Sequence, residues 1–191
     1  MPHPACVVEI APHRVAAARW GKTPGQLETF AVEPLPPGAV VPSPVEANVL
    51  QVEGVRAALE RVFTRVAHHG APVAMLIPDP VVRVFILPFD TLPRRADEAL
   101  PLLRWRLKKS VPFDVEETVI SSMRQQGRDS KLELVAAIAR QKILKEYEDS
   151  IASMGTSVGV VLSSTLATLP LIEERGATLV VRLSGRTLTT V

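Results

Sequence analysis

Four histidines (His3, His13, His68, His69) and one cysteine (Cys6) are the side chains best suited to hold a metal. A zinc or iron site needs several such donors at spacings that let them converge, and these share no ligand spacing with one another or with a carboxylate. His68 and His69 close a helical pattern and read as solvated cations at a helix end. A serine hydrolase would carry its nucleophile in Gly-x-Ser-x-Gly at a sharp turn from strand to helix, and the one match, Gly155-Thr156-Ser157-Val158-Gly159, runs the other way, from a predicted helix stop into a predicted strand. Asp97 and Glu98 open another helical pattern, where acids complement the helix dipole. Cys6, flanked by Ala5 and Val7, reads as a buried core thiol with no partner for an internal disulfide. No catalytic constellation emerges. The densest basic stretch, Arg104-Trp105-Arg106-Leu107-Lys108-Lys109, could serve as a membrane-surface helix, a nucleic-acid contact or a docking site for a partner peptide. The competing reading is a solvated helix face with Trp105 in the core. A net charge of +2 over 191 residues is too small for strong phosphate-driven binding, so nucleic acid is the least favoured partner.

The elements that must position these residues are legible from periodicity. A composition 47% hydrophobic and 22% charged is that of a folded domain, with neither a secretion signal nor a run of about 18 apolar residues, which predicts a cytoplasmic chain. Cys6 to Ile10 and Val15 to Trp20 predict a hairpin, extended by a third strand from Leu27 to Val32. Five prolines between Glu33 and Asn48 predict an extended crossover without a helix. Apolar residues at helical spacing from Glu53 to His69 predict a helix stopped by Gly70. Val73 to Ile77 and Val81 to Leu87 predict strands, the second ended by Pro88. Arg94 to Lys109 predicts a helix with a break near Leu100, since Pro101 inside it would cost about 3 kcal/mol. Glu117 to Gln126 and Lys131 to Ala139 predict a hairpin around Gly127-Arg128-Asp129-Ser130. Gln141 to Met154 predicts a helix stopped by Gly155. Ser157 to Leu162 then predicts a strand, Thr165 to Arg175 a short helix, and Ala177 to Leu183 with Thr187 to Val191 a hairpin around Ser184-Gly185-Arg186. A chain that stops in an apolar strand leaves an open edge, so part of a longer protein is expected.

This order of elements resembles the first half of an actin-like, ribonuclease H-like α/β fold. The run Ile77-Pro78-Asp79-Pro80-Val81-Val82-Arg83-Val84-Phe85-Ile86-Leu87-Pro88 resembles a segment of the type IV pilus assembly protein PilM family. So do Ser110-Val111-Pro112-Phe113-Asp114 and Ala136-Ala137-Ile138-Ala139-Arg140-Gln141 followed by Tyr147 and Met154-Gly155. The cytoplasmic domain of type II secretion assembly proteins is the runner-up. The resemblance implies a first actin-like subdomain over 1–87 and 140–175, an inserted small α+β subdomain over 88–139, and only the start of a second lobe at 176–191.

It also implies where a nucleotide would sit. Actin-like ATPases hold phosphates on backbone N–H groups of glycine turns in two hairpins, with an aspartate in each positioning Mg²⁺. Where that family has Asp-Ile-Gly, this chain has Glu9-Ile10-Ala11-Pro12. Ala11 adds a Cβ where phosphate would approach, and Pro12 lacks an N–H. Glu9 retains a carboxylate able to reach a metal through water. The second loop keeps Gly185 but has Arg182 in place of the metal-facing aspartate, so no ATP or Mg²⁺ is expected. The resemblance further implies a scaffold at the inner membrane. It would bind the cytoplasmic N-terminal peptide of a PilN-like membrane protein in a groove involving Arg83, Phe85, Trp105 and Arg106, with pilus motor ATPases as further partners. The alternative is an active actin-like ATPase or filament former.

Overall fold

In a computed structural model the described residues are all but 1–3, 22, 24, 25, 94, 127–131, 173–177 and 185–186. They divide into two compact units, one of Met1–Pro42, Ala47–Asp79 and Lys145–Val191, the other of Ser43–Glu46 and Pro80–Leu144.

The first unit is built on a five-stranded sheet. Strands β1 (Cys6–Ala11), β2 (Arg14–Trp20) and β3 (Leu27–Pro34) form an antiparallel meander. Beside β1 lie β4 (Val73–Ile77) and β8 (Val158–Ser163), both parallel to it, in the order β3-β2-β1-β4-β8. Val8, Ile10, Val15, Val73, Met75 and Ile77 point to one face and are fully buried, as strand alternation requires. Cys6 is buried as well. Helix α1 (Val52–Arg65) packs on β2 and β3 through Val55, Ala58, Leu59, Val62 and Phe63. Its Arg61 and Arg65 hold the buried Glu33 of β3 at 2.7 and 2.5 Å. Helix α3 (Gln141–Ala152), which belongs to this unit from Lys145 on, buries Tyr147 and Ile151 there. The crossover rich in proline has no helix, and its end is tied to α3 where the Glu146 carboxylate accepts the N–H groups of Asn48 (2.7 Å) and Val49 (3.0 Å).

Helix α1 ends four residues before the predicted His69. The stop is supplied by Ala67, at φ 48, and not by Gly70. His68 N–H donates to the Phe63 carbonyl (3.0 Å) and Ala67 N–H to the Thr64 carbonyl (3.2 Å), a Schellman closure with alanine in the left-handed position. Left-handed backbone is costly for any residue with a Cβ. Ala67→Gly is therefore expected to stabilise the protein by about 0.5–1 kcal/mol, read as a rise in urea midpoint at unchanged m-value. His68 is also not the solvated cation expected. Its ring packs on Phe63 at 4.8 Å between centroids, and burial pushes its pKa below the usual histidine range, reinforced by the neighbouring His69 charge.

In the second unit β5 (Arg83–Phe89), β6 (Thr118–Gln126) and β7 (Leu132–Arg140) pair antiparallel in the order β5-β7-β6. Strand β5, expected in the first subdomain, pairs with β7 and belongs here. Pro88 does not end β5 but lies inside it, which an edge strand tolerates because one side of its ladder is open. Helix α2 (Ala96–Leu107) runs unbroken through Pro101, where a break near Leu100 was expected. The lost bond would have gone to the carbonyl of Asp97, in an exposed first turn where water can replace it. Leu107 of α2, Val115 and Ile138 form this unit's core, with Phe85, Leu87, Val111, Phe113 and Ile120 packed against them. The predicted turn at 127–130 lies outside the described residues.

After β8 the chain turns directly into the short helix α4 (Ser164–Thr168), capped by the Ser163 hydroxyl, which accepts the Leu166 N–H at 3.4 Å. Over the described residues the predicted helix Thr165 to Arg175 becomes α4 followed by a 3₁₀ turn, Leu169–Leu171, with Pro170 at its start, residues 173–175 lying outside them. Strands β9 (Val181–Ser184) and β10 (Thr187–Thr190) pair as a separate hairpin, the turn residues 185 and 186 lying outside the described ones. No described helix is long and apolar enough to cross a membrane.

Candidate functional site

Strands β1, β4 and β8 run in the same direction, so their carboxyl ends open on one edge of the first unit's sheet. That edge is where open α/β sheets place their ligands. It receives Glu9 from β1, Asp79 from just beyond β4, and Ser164 and Thr165 from the start of α4. The β9–β10 hairpin adds Arg182 and Thr189, which face each other across its two strands.

The Asp79 carboxylate is the most heavily used group. Its Oδ1 accepts the Thr165 N–H (2.8 Å), and its Oδ2 accepts the hydroxyls of Thr165 (2.6 Å) and Thr189 (2.7 Å). Arg182 Nη1 lies 3.4 Å from the same Oδ2, while Nη2 donates to Glu9 Oε1 at 3.0 Å. Glu9 is shared further, its Oε2 accepting from Arg14 Nη2 at 2.9 Å. Ser164 Oγ is 3.1 Å from both Glu9 Oε1 and the Ile77 carbonyl, its single proton serving either acceptor. The side chains of Glu9 and Asp79 are each 12% exposed and that of Arg182 22%. Burial alone would raise the Asp79 pKa, but the hydrogen bonds from Thr165 and Thr189 and the Arg182 charge outweigh it and hold the carboxyl below its usual range. Asp79 is therefore ionised at neutral pH, and the two carboxylates and two guanidiniums cancel.

Of the residues singled out from the sequence, the structure brings together Glu9 and Arg182. Ala11 is buried, 3% exposed, directly before the turn Pro12-His13; Gly185 lies outside the described residues. Asp79, Arg14, Ser164, Thr165 and Thr189 join Glu9 and Arg182 without belonging to any chemical motif of the sequence. A carboxylate between two prolines at the end of an apolar strand was the available signal for Asp79.

Of the second group of candidates, Arg83, Trp105 and Arg106 are exposed and Phe85 is partly buried. Phe85 is packed in the core of the second unit with Leu107. Trp105, two residues before the buried Leu107, is about 200° round the helix from it and is 75% exposed. It is thus outside the core, beside the exposed Leu102. Arg106 lies over the Phe89 ring at 5.8 Å, and Arg83 is exposed at the start of β5.

No protein-family model matches the chain. Among solved structures it is similar to a chain of a PilM-PilN type IV pilus biogenesis complex, with TM-score 0.74 and 18% identity over 88% of this chain and 50% of that one. It is also similar to the cytoplasmic domain of EpsL, an inner-membrane component of the type II secretion system of Vibrio cholerae, with TM-score 0.60 and 15% identity over 97% of this chain and 70% of that one. The chain thus spans half the length of the first of these. The protein has a PilM-like, actin-like α/β fold.

Proposed function

We propose that the protein is a cytoplasmic scaffold of a type IV pilus or type II secretion assembly platform, which holds the cytoplasmic N-terminal peptide of a PilN-like inner-membrane protein. The observation that carries this reading is the fold shared with a chain of a PilM-PilN complex. On this reading the first unit belongs to the first actin-like lobe and the second unit is the inserted subdomain. Membrane association comes through the partner, and pilus motor ATPases are further partners.

The site at the strand ends does not favour the active-ATPase alternative, because its residues do not fit Mg²⁺ and the phosphates of ATP. A guanidinium occupies the space between the two carboxylates, at 3.0 and 3.4 Å. Ala11 adds a buried Cβ and Pro12 withholds an N–H where a phosphate-binding turn needs open backbone.

The peptide is proposed to dock with leucine anchors on Trp105 and polar contacts to Arg83 and Arg106. An exposed aromatic with cations nearby is the kind of group that dominates such interfaces. Phe85→Ala would damage a core, whereas Trp105→Ala removes a side chain the fold does not need. Titration of the protein with a synthetic PilN-type N-terminal peptide is expected to show Trp105→Ala weakening binding by about tenfold or more, with its thermal midpoint unchanged. Equal affinity in the two proteins would sink this docking site, and the absence of binding to the unmodified protein would sink the scaffold reading.

A further inference from the structure

We infer that Arg182 is a tethered cation standing where a bound one would otherwise be needed, and that it makes the strand-end site a ligand-free joint fastening the β9–β10 hairpin to the sheet. A two-stranded hairpin is marginal by itself, and this one forms a sheet of its own. Apolar packing does not hold it, because Val181, Leu183 and Leu188 are 55, 73 and 64% exposed. Its attachments come instead from the alternate residues on the other side. Thr189 and Arg182, a directly opposed cross-strand pair, both reach Asp79 Oδ2, and Arg182 continues to Glu9.

The charges make the joint self-sufficient. Without Arg182, two carboxylates that are 12% exposed would face each other's field with Arg14, on the Glu9 side, as the one remaining cation paired with them among the described residues. Such a pair would need a cation from solution. With Arg182 present the cluster is neutral, so neither a divalent cation nor a phosphate group meets an uncompensated charge. The hairpin stays attached whether or not a nucleotide is available. This inference is independent of peptide docking in the other unit, which has its own binding assay.

The test is amide hydrogen exchange of the full chain and its variants at constant ionic strength, comparing residues 181–184 and 187–190 with the buried strands β1 and β4. In the unmodified protein, hairpin protection is expected to be the same with and without millimolar Mg²⁺, Mn²⁺ or Mg²⁺-ATP. In Arg182→Ala the hairpin is expected to exchange about tenfold faster or more while β1 and β4 keep their protection. Mn²⁺ is then expected to restore part of it, with Na⁺ inactive. Thr189→Val, which removes one hydroxyl and keeps the shape, is expected to loosen the hairpin less, and serves if Arg182→Ala does not fold. Hairpin exchange unaltered in Arg182→Ala, or in Thr189→Val if that is the variant that folds, would overturn the inference. So would protection of the unmodified protein that rises with Mg²⁺-ATP, or an Arg182→Ala hairpin that Mn²⁺ leaves loose.

Discussion

Asp79→Ala is expected to destabilise the first unit by about 2–3 kcal/mol, although Asp79 lies in a turn and packs in no apolar core. The residue accepts from Thr165 N–H and from the Thr165 and Thr189 hydroxyls, and pairs with Arg182. Deleting it leaves those donors facing one another in a site where its side chain was 12% exposed. The loss is smaller than for a fully buried ion pair because Arg182 retains Glu9 and some solvent contact. The pH dependence follows from the sign of the shift. Asp79 is held below its unfolded value, so its stabilising contribution is complete above about pH 4 and is lost as the pH falls through the lower folded value. Urea midpoints of the unmodified protein and of Asp79→Ala should therefore lie furthest apart near neutrality and converge below about pH 4. A gap that persisted unchanged into strong acid would show that Asp79 acts through shape and not through charge.

Tyr147→Ala is expected to have the larger effect, about 3–5 kcal/mol. The side chain is 0% exposed in helix α3, and its hydroxyl donates to Asn48 Oδ1 at 3.1 Å. Its neighbour Glu146 holds the N–H groups of Asn48 and Val49, so the two residues together fix the end of the proline-rich crossover to the helix. Tyr147→Phe keeps the volume and should lose only about 1 kcal/mol. Burial, reinforced by the Glu146 charge, raises the phenol's pKa well above that of a free tyrosine. A group that ionises more readily unfolded than folded contributes stability that is full below about pH 10 and declines as pH rises past it. Because the chain has one tyrosine, tyrosinate absorbance reports this residue alone. It should appear on alkaline titration only as the protein unfolds, and Tyr147→Phe should remove the associated loss of stability. Tyrosinate forming in the folded protein near pH 10 would mean the hydroxyl is open to water.

Most elements were legible because their signals are local. Alternation in β1 and β2, the helical stripes of α1 and α3, and the prolines between β3 and α1 act within a few residues. The misreadings share a cause. Pro88 and Pro101 cost what their neighbours cannot replace, and an edge strand or an exposed helix turn replaces it cheaply. Ala67 takes a left-handed turn that glycine would take with less strain, because two hydrogen bonds and the packing of His68 on Phe63 hold it there. Trp105 could be given a helix but not a side, since the direction of the core depends on which sheet the helix covers.

By itself the sequence determined the order of strands and helices, the resemblance to an actin-like half, and the Cβ and missing N–H at Ala11 and Pro12. Those are properties of single residues and of short-range spacing. Only the tertiary structure decided that Asp79 belongs to the same site, that Ser164, Thr165 and Thr189 serve it, and that Arg182 lies between two carboxylates. Glu9, Asp79 and Arg182 are far apart in the chain, and they meet because β1 and β4 are parallel neighbours whose ends open on one edge. Charge pairing depends on distance in space, and distance in space was set by strand order.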